Sequence, residues 1–218
     1  MSPQFPLSTS PGLLPARVLT SIQPPLQISA AQPQHLQGLA TILTDSFHPT
    51  LRSLSWFYAL LRAGIYEDLR HRLRHASPYD ICLIALDLDP SSSTLPMPLM
   101  GTVELGVRSL APPWQIRPAV PYLSNLAVDA AFRGRGIAKQ LLLACEGIVL
   151  AWEFQDLYLH VLENNYPARR LYEQMGYQLQ QVDGYWGVRL WRQPRRLLLH
   201  KPLNGAATFP GVLELPSC

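Results

Sequence analysis

Apolar positions along this chain follow two periods. Short runs rich in Leu, Ile, Val and Tyr, bounded by Pro, Gly, Asp and Ser, predict strands over 26–30, 81–88, 99–107, 122–128, 157–162, 177–182 and 188–203. Helical spacing of Leu36, Leu39, Ile42 and Leu43 predicts a first helix over 34–47. Leu54, Phe57, Tyr58, Leu61, Ile65, Leu69 and Leu73 predict a second over about 51–75, with Arg62, Arg70, Arg72 and Arg74 on a solvated basic face. His71 and His75 lie one turn apart there, but the arginines repel a cation and no third ligand is evident, so no metal is expected. Ile137, Leu141, Cys145, Ile148 and Trp152 keep one face of a helix over 134–154 apolar. Asn165 as N-cap, Pro167 in the first turn and Gly176 as the stop define the last helix. A turn at 89–93 joins two strands as a hairpin, 110–121 is a Pro-rich loop containing Trp114, and 183–187 connects the last two strands.

The order of elements describes one mixed α/β (α+β) domain over 26–203, and a chain of 218 residues is too short for two domains of ordinary size. Residues 1–25 are rich in Pro and Ser and carry one arginine and no acid, which suggests a flexible leader; 204–218 reads as a tail. A plastid transit peptide is the alternative for the leader, weakly supported by Arg17 alone. Hydrophobic residues at 48% and charged residues at 15% exclude a chain disordered throughout. The net charge of +3 suits an anionic cofactor and falls short of a nucleic-acid-binding face. Cys82, Cys145 and Cys218 are odd in number and form no CxxC pair, which points to a reducing compartment, expected to be the cytoplasm with a plastid stroma as the alternative. The apolar stretch 141–152 is broken by Glu146 and is too short to cross a bilayer, so no membrane partner is expected.

Candidate chemistry begins where the 122–128 strand gives way to a helix through Arg133, Gly134, Arg135, Gly136, Ile137 and Ala138. The first amides of a helix lack helical partners and carry the positive end of its dipole, so such a turn holds anions. Gly136 leaves room for close approach of a diphosphate, and two arginines add charge. Arg133-x-x-Gly136-x-Ala138, followed by Asn165-x-x-Ala168-x-x-Leu171-Tyr172 and Gly176-Tyr177, resembles the two spaced signatures of the GNAT acetyltransferase superfamily.

That resemblance extends loosely over 26–203 and implies a mixed, mostly antiparallel sheet of about seven strands with about four flanking helices and splayed central parallel strands. It implies acetyl-CoA as cosubstrate, bound through the backbone of Leu126, Ala127 and Val128, the turn from Arg133 to Ala138, and Asn165 and Ala168. Tyr172 stands at the family's general-acid position. Tyr122 and His160 match a Tyr and a His that, in some protein Nα-acetyltransferases, remove the amine proton through a water; Glu104 is the competing base. Phe47-x-Pro49 and Tyr185-Trp186 resemble peptide-contacting positions of those enzymes. The implied reaction is acetylation of a protein N-terminal α-amine, with lysine as a further acceptor. The alternatives are a small-amine acetyltransferase, a non-catalytic acetyl-CoA sensor or an arginine-helix nucleic-acid binder.

Overall fold

A computed structural model describes residues 18–20, 26–47, 55–75, 77–88, 98–110, 118–183 and 194–203. The strands are β1 (Val18–Thr20), β2 (Leu26–Ala30), β3 (Asp80–Asp87), β4 (Leu99–Arg108), β5 (Val120–Val128), β6 (Asp156–Leu162), β7 (Gln178–Asp183) and β8 (Arg196–Pro202). The helices are α1 (Leu36–Phe47), α2 (Ser55–Arg74), α3 (Ile137–Ala151) and α4 (Tyr166–Gln174). One sheet runs in the order β1-β2-β3-β4-β5-β6-β8-β7, with β5 and β6 parallel and the other pairings antiparallel. The seven expected strands are thus joined by β1, which lies within the stretch read as a leader and pairs with β2. The last strand begins at Arg196, later than the expected 188; residues 188–193 lie outside the described ones.

Strand alternation divides the core between the two faces of the sheet. On one face Cys82, Ile84 and Leu86 of β3 pack with Leu36, Leu39, Ile42 and Leu43 of α1, so the predicted α1 stripe is the buried one. On the other, Leu123, Leu157, Leu159 and Val161 pack with Ile137, Leu141, Cys145 and Ile148 of α3 and with Tyr172 of α4. An ion pair at 2.6 Å between the half-buried Lys201 and the buried Glu146 ties β8 to α3.

The second helix covers its predicted stripe unevenly. Leu69 is buried and Tyr58, Leu61, Ile65 and Leu73 are half-buried, but Phe57 near the start is 39% exposed, and Trp56 and Leu60, off the stripe, are 71% and 63% exposed. The helix leans on α1, where Tyr58 donates to Asp45 at 2.8 Å, and meets the sheet only through its last turns. Periodicity fixes which face is apolar; it does not fix how far along the helix that face finds a partner.

Two irregularities in β5 position everything that follows. Thr102 pairs with Ala127 and Glu104 with Ser124, so Val103 alone stands opposite Asn125 and Leu126, a β-bulge in β5. Asn125 takes up the extra residue with a left-handed φ of 53°, which Asn tolerates better than other side chains. Beyond the bulge β5 leaves its parallel neighbour: only Tyr122↔Tyr158 and Leu123↔Leu159 pair, although β6 continues to Leu162 alongside β8. The central parallel strands therefore splay, as the resemblance implied, and the β6-facing edge of residues 124–128 has no strand beside it.

Candidate active site

At the end of β5, Asp129 caps a short 3-10 turn (Ala130–Phe132), its carboxylate accepting from the Ala131 amide at 2.8 Å. The chain then reverses into α3 through Gly134 and Gly136, both at φ 77°, a left-handed conformation that a side chain would strain. A Cβ added at either glycine would meet no protein atom within 4 Å, so the turn faces open space. Gly136 is the N-cap of α3, which leaves the first amides of the helix without helical partners. Arg133 Nε donates to the Val128 carbonyl at 3.0 Å and locks the turn to the strand end, while the Arg135 guanidinium lies 5.2 Å from the centre of the Phe132 ring. One of the two arginines expected to contribute only charge therefore also shapes the turn.

These features suit a long anionic ligand with an amide-bearing arm. The turn offers N–H groups, room and positive charge to a diphosphate. The open edge of 124–128 offers strand hydrogen-bonding groups. Ser124 Oγ, at the splay, is a buried polar atom with no hydrogen-bond partner among the described residues, which a bound group can satisfy.

At the N-terminus of α4, Asn165 Oδ1 accepts from the Ala168 amide at 3.3 Å, the predicted N-cap. Tyr172 is only 7% exposed. Burial pushes its phenol up, and the proximity of Tyr122 adds to this, so the hydroxyl stays protonated and available as a donor.

On the face of the sheet turned to α2, Tyr122 Oη and His160 Nδ1 are 2.9 Å apart. The other ring nitrogen, Nε2, lies 3.1 Å from Asp183 Oδ2. Burial lowers the His160 imidazole, with Arg196 acting in the same direction and Asp183 opposing, so the ring is held neutral. Burial raises the Tyr122 phenol, and Arg196 opposes that shift. Farther along the same face Glu104 is buried and receives Arg72 Nη1 at 2.6 Å; Arg72 also pairs with Asp68. Arg72 stays on the solvated basic face predicted for α2, its side chain 43% exposed, while its guanidinium supplies the countercharge that the buried Glu104 carboxylate requires. Arg70, bonded to Glu67, shares that surface.

The fold brings Tyr122 and His160 together, with Tyr172 near Tyr122. It leaves Phe47 half exposed at the end of α1. Pro49, Tyr185 and Trp186 lie outside the described residues. Asp183, Arg196 and Ser124 were not singled out in the sequence; an Asp before a Gly at a strand end reads as turn chemistry, and only the register reveals more. Among the described residues no group of three or more His, Cys, Asp or Glu is placed to hold a metal, and His71 and His75 simply stack at 4.4 Å. None of the described helices is long and apolar enough to cross a membrane.

Residues 53–177 match the sequence profile of the acetyltransferase (GNAT) family. The chain belongs to that family. It is accordingly an acetyltransferase that takes its acetyl group from acetyl-CoA. Among its relatives is GCN5-related N-acetyltransferase 10, chloroplastic, of Arabidopsis thaliana, 25% identical over 171 residues that cover 76% of this chain and 67% of the relative. GCN5-related N-acetyltransferase 5, chloroplastic, of the same plant is 26% identical, covering 82% of this chain and 59% of the relative. The chain thus spans about two thirds or less of these relatives' lengths. The ribosomal protein bS18 alanine N-acetyltransferase of Haemophilus ducreyi is 42% identical over 55 residues, 25% of this chain and 38% of that protein. Among solved structures, the PaiA N-acetyltransferase of Thermoplasma acidophilum in complex with coenzyme A shares the fold, with a TM-score of 0.60 at 17% identity, covering 81% of this chain and 98% of its own.

Proposed function

We propose that this protein acetylates the free α-amine of a protein or peptide N-terminus, with lysine as a secondary acceptor. The observation that carries the reading is the Tyr122–His160 hydrogen bond, 2.9 Å long, on strands that part just beyond it. Unperturbed α-amines titrate at about 7.7–8.0 and lysine near 10.4, so deprotonating lysine costs roughly 3.5 kcal/mol more. A neutral imidazole is basic enough for the first acceptor and poorly matched to the second. The bS18 alanine acetyltransferase among the relatives, which by its name acts on a protein, supports the same class.

In this reading acetyl-CoA, when bound, supplies an acetyl group activated as a thioester. The backbone of Leu126, Ala127 and Val128 holds its acyl arm, and the amides from Arg133 to Ala138 hold its diphosphate, with Asn165 and Ala168 at the neighbouring helix end. Tyr122 and His160 take a proton from the acceptor ammonium through water. Tyr172, kept protonated by burial, donates its proton toward the departing sulfur. Glu104 is a weaker candidate for the base because its carboxylate is already engaged by Arg72. Phe47, Pro49, Tyr185 and Trp186 contact the peptide. The chloroplastic names of four relatives support a plastid stroma as the working compartment, with the cytoplasm as the other reducing option.

Peptides with free or blocked N-termini, each with and without an internal lysine, test the acceptor when incubated with acetyl-CoA and read by mass spectrometry. Free N-termini are expected to be acetylated fastest, and His160→Ala to lose most of that activity. Acetylation confined to lysine or to small amines overturns the substrate class.

A further inference from the structure

His160 is held from both sides by groups on different strands. A carboxylate only accepts, so the 3.1 Å approach of Asp183 Oδ2 to Nε2 places the ring proton on Nε2. The neutral imidazole then carries its lone pair on Nδ1, and the Tyr122 hydroxyl, 2.9 Å away, is the donor to it. Asp183 ends β7 in register with Arg196 of β8, and the intervening β8 separates β7 from β6 and His160. Along β7 the residues before Asp183 are exposed, whereas its side chain is 32% exposed and turned inward toward a ring that is itself 15% exposed.

We propose that Asp183 is a positioning residue for proton transfer: it fixes His160 as the Nε2–H tautomer, aims Nδ1 at Tyr122 and balances the charge that develops on the ring. The inference rests on the reading of His160 as proton acceptor. When the acceptor ammonium loses a proton through water to the Tyr122 oxygen, the Tyr122 hydroxyl proton passes to Nδ1. The ammonium thereby becomes a neutral amine, Tyr122 is unchanged and His160 becomes an imidazolium whose Nε2–H still donates to Asp183. The charged and titratable groups facing this ring are Tyr122 from β5, Asp183 from β7 and Arg196 from β8, with Tyr172 of α4 close to Tyr122. Arg196 opposes a second positive charge on the ring, and Asp183 is the group that offsets it.

The test uses the full chain with ¹⁵N-labelled histidine and steady-state kinetics on a peptide with a free N-terminus, for wild type, Asp183→Ala, Asp183→Asn and His160→Ala. Wild-type His160 is expected to show an unprotonated Nδ1 and a protonated Nε2, and an imidazole titration below its ordinary value. Asp183→Ala should mix the tautomers, shift that titration further down because the raising carboxylate is gone, and lower kcat tenfold or more with KM for acetyl-CoA unchanged. Asp183→Asn, whose side-chain oxygen still accepts from Nε2–H, should recover the tautomer and part of the rate, and it carries the test should the alanine variant fail to fold. Wild-type kcat and an unaltered tautomer in both Asp183 variants, alongside an inactive His160→Ala, overturn the role of Asp183 and leave His160 as base. Full activity in His160→Ala removes the base reading and this inference with it.

Discussion

The two halves of the site are built from different materials. The half that faces α3 is made of backbone: two left-handed glycines, the free amides of a helix end and an open strand edge. The half that faces α2 is made of side chains delivered by four strands, Tyr122, His160, Asp183 and Arg196, with Glu104 and Arg72 beside them. A backbone site requires particular dihedral angles, so a substitution either preserves it or removes it. A side-chain site can change one group at a time while the scaffold stays in place. One expects the first half to be all-or-none and the second to be graded.

Gly136→Glu probes the backbone half and carries the largest expected effect. It forces a side chain into a φ of 77° and places negative charge where a diphosphate would lie. Acetyl-CoA binding followed by calorimetry should vanish in a variant whose circular dichroism is intact; an unchanged affinity would break the assignment of the turn. Tyr172→Phe sits between the halves. It should lower kcat by about 10² to 10⁴ while acetyl-CoA affinity holds, since general acids contribute in that range. Near wild-type turnover would reduce Tyr172 to a core residue packed against Tyr177. The smallest effect is expected from Glu104→Gln, which weakens an ion pair with Arg72 but removes no proton acceptor in the proposed path. A loss well below the roughly 10²-fold floor of an acid–base group would sharpen the contrast with His160. A loss as large as that of His160→Ala would instead transfer the base role to Glu104.

The same division explains what could be read from residues alone. The turn from Arg133 to Ala138 and the cap at Asn165 are contiguous in sequence, and their residue types are demanded by local conformation. Tyr122 and His160 were legible only through resemblance, because nothing in either strand's pattern says that a phenol and an imidazole separated by α3 will touch. Asp183 was not legible at all. Its contact depends on β8 inserting between β6 and β7, a crossover that sequence order does not announce. The Arg72–Glu104 pair was hidden for a related reason: an exposed arginine on a helix shows the same spacing whether its guanidinium meets only water or also reaches a buried carboxylate. The exposed start of α2 makes the complementary point, since apolar spacing there is regular and the burial is not.

The splay of β5 from β6 also bears on how ligand binding and folding stability are linked. Among the described residues, two backbone register pairs join the strands on one side of that seam to β6, β8 and β7 on the other. A ligand arm lying along residues 124–128 would behave as a missing length of strand, satisfying backbone groups that the chain itself does not. Binding of that kind stabilises the folded state by about 2.7 kcal/mol when the free ligand reaches 100 times its Kd. The melting temperature would then rise with the concentration of acetyl-CoA, because the ligand completes a seam that the chain leaves open.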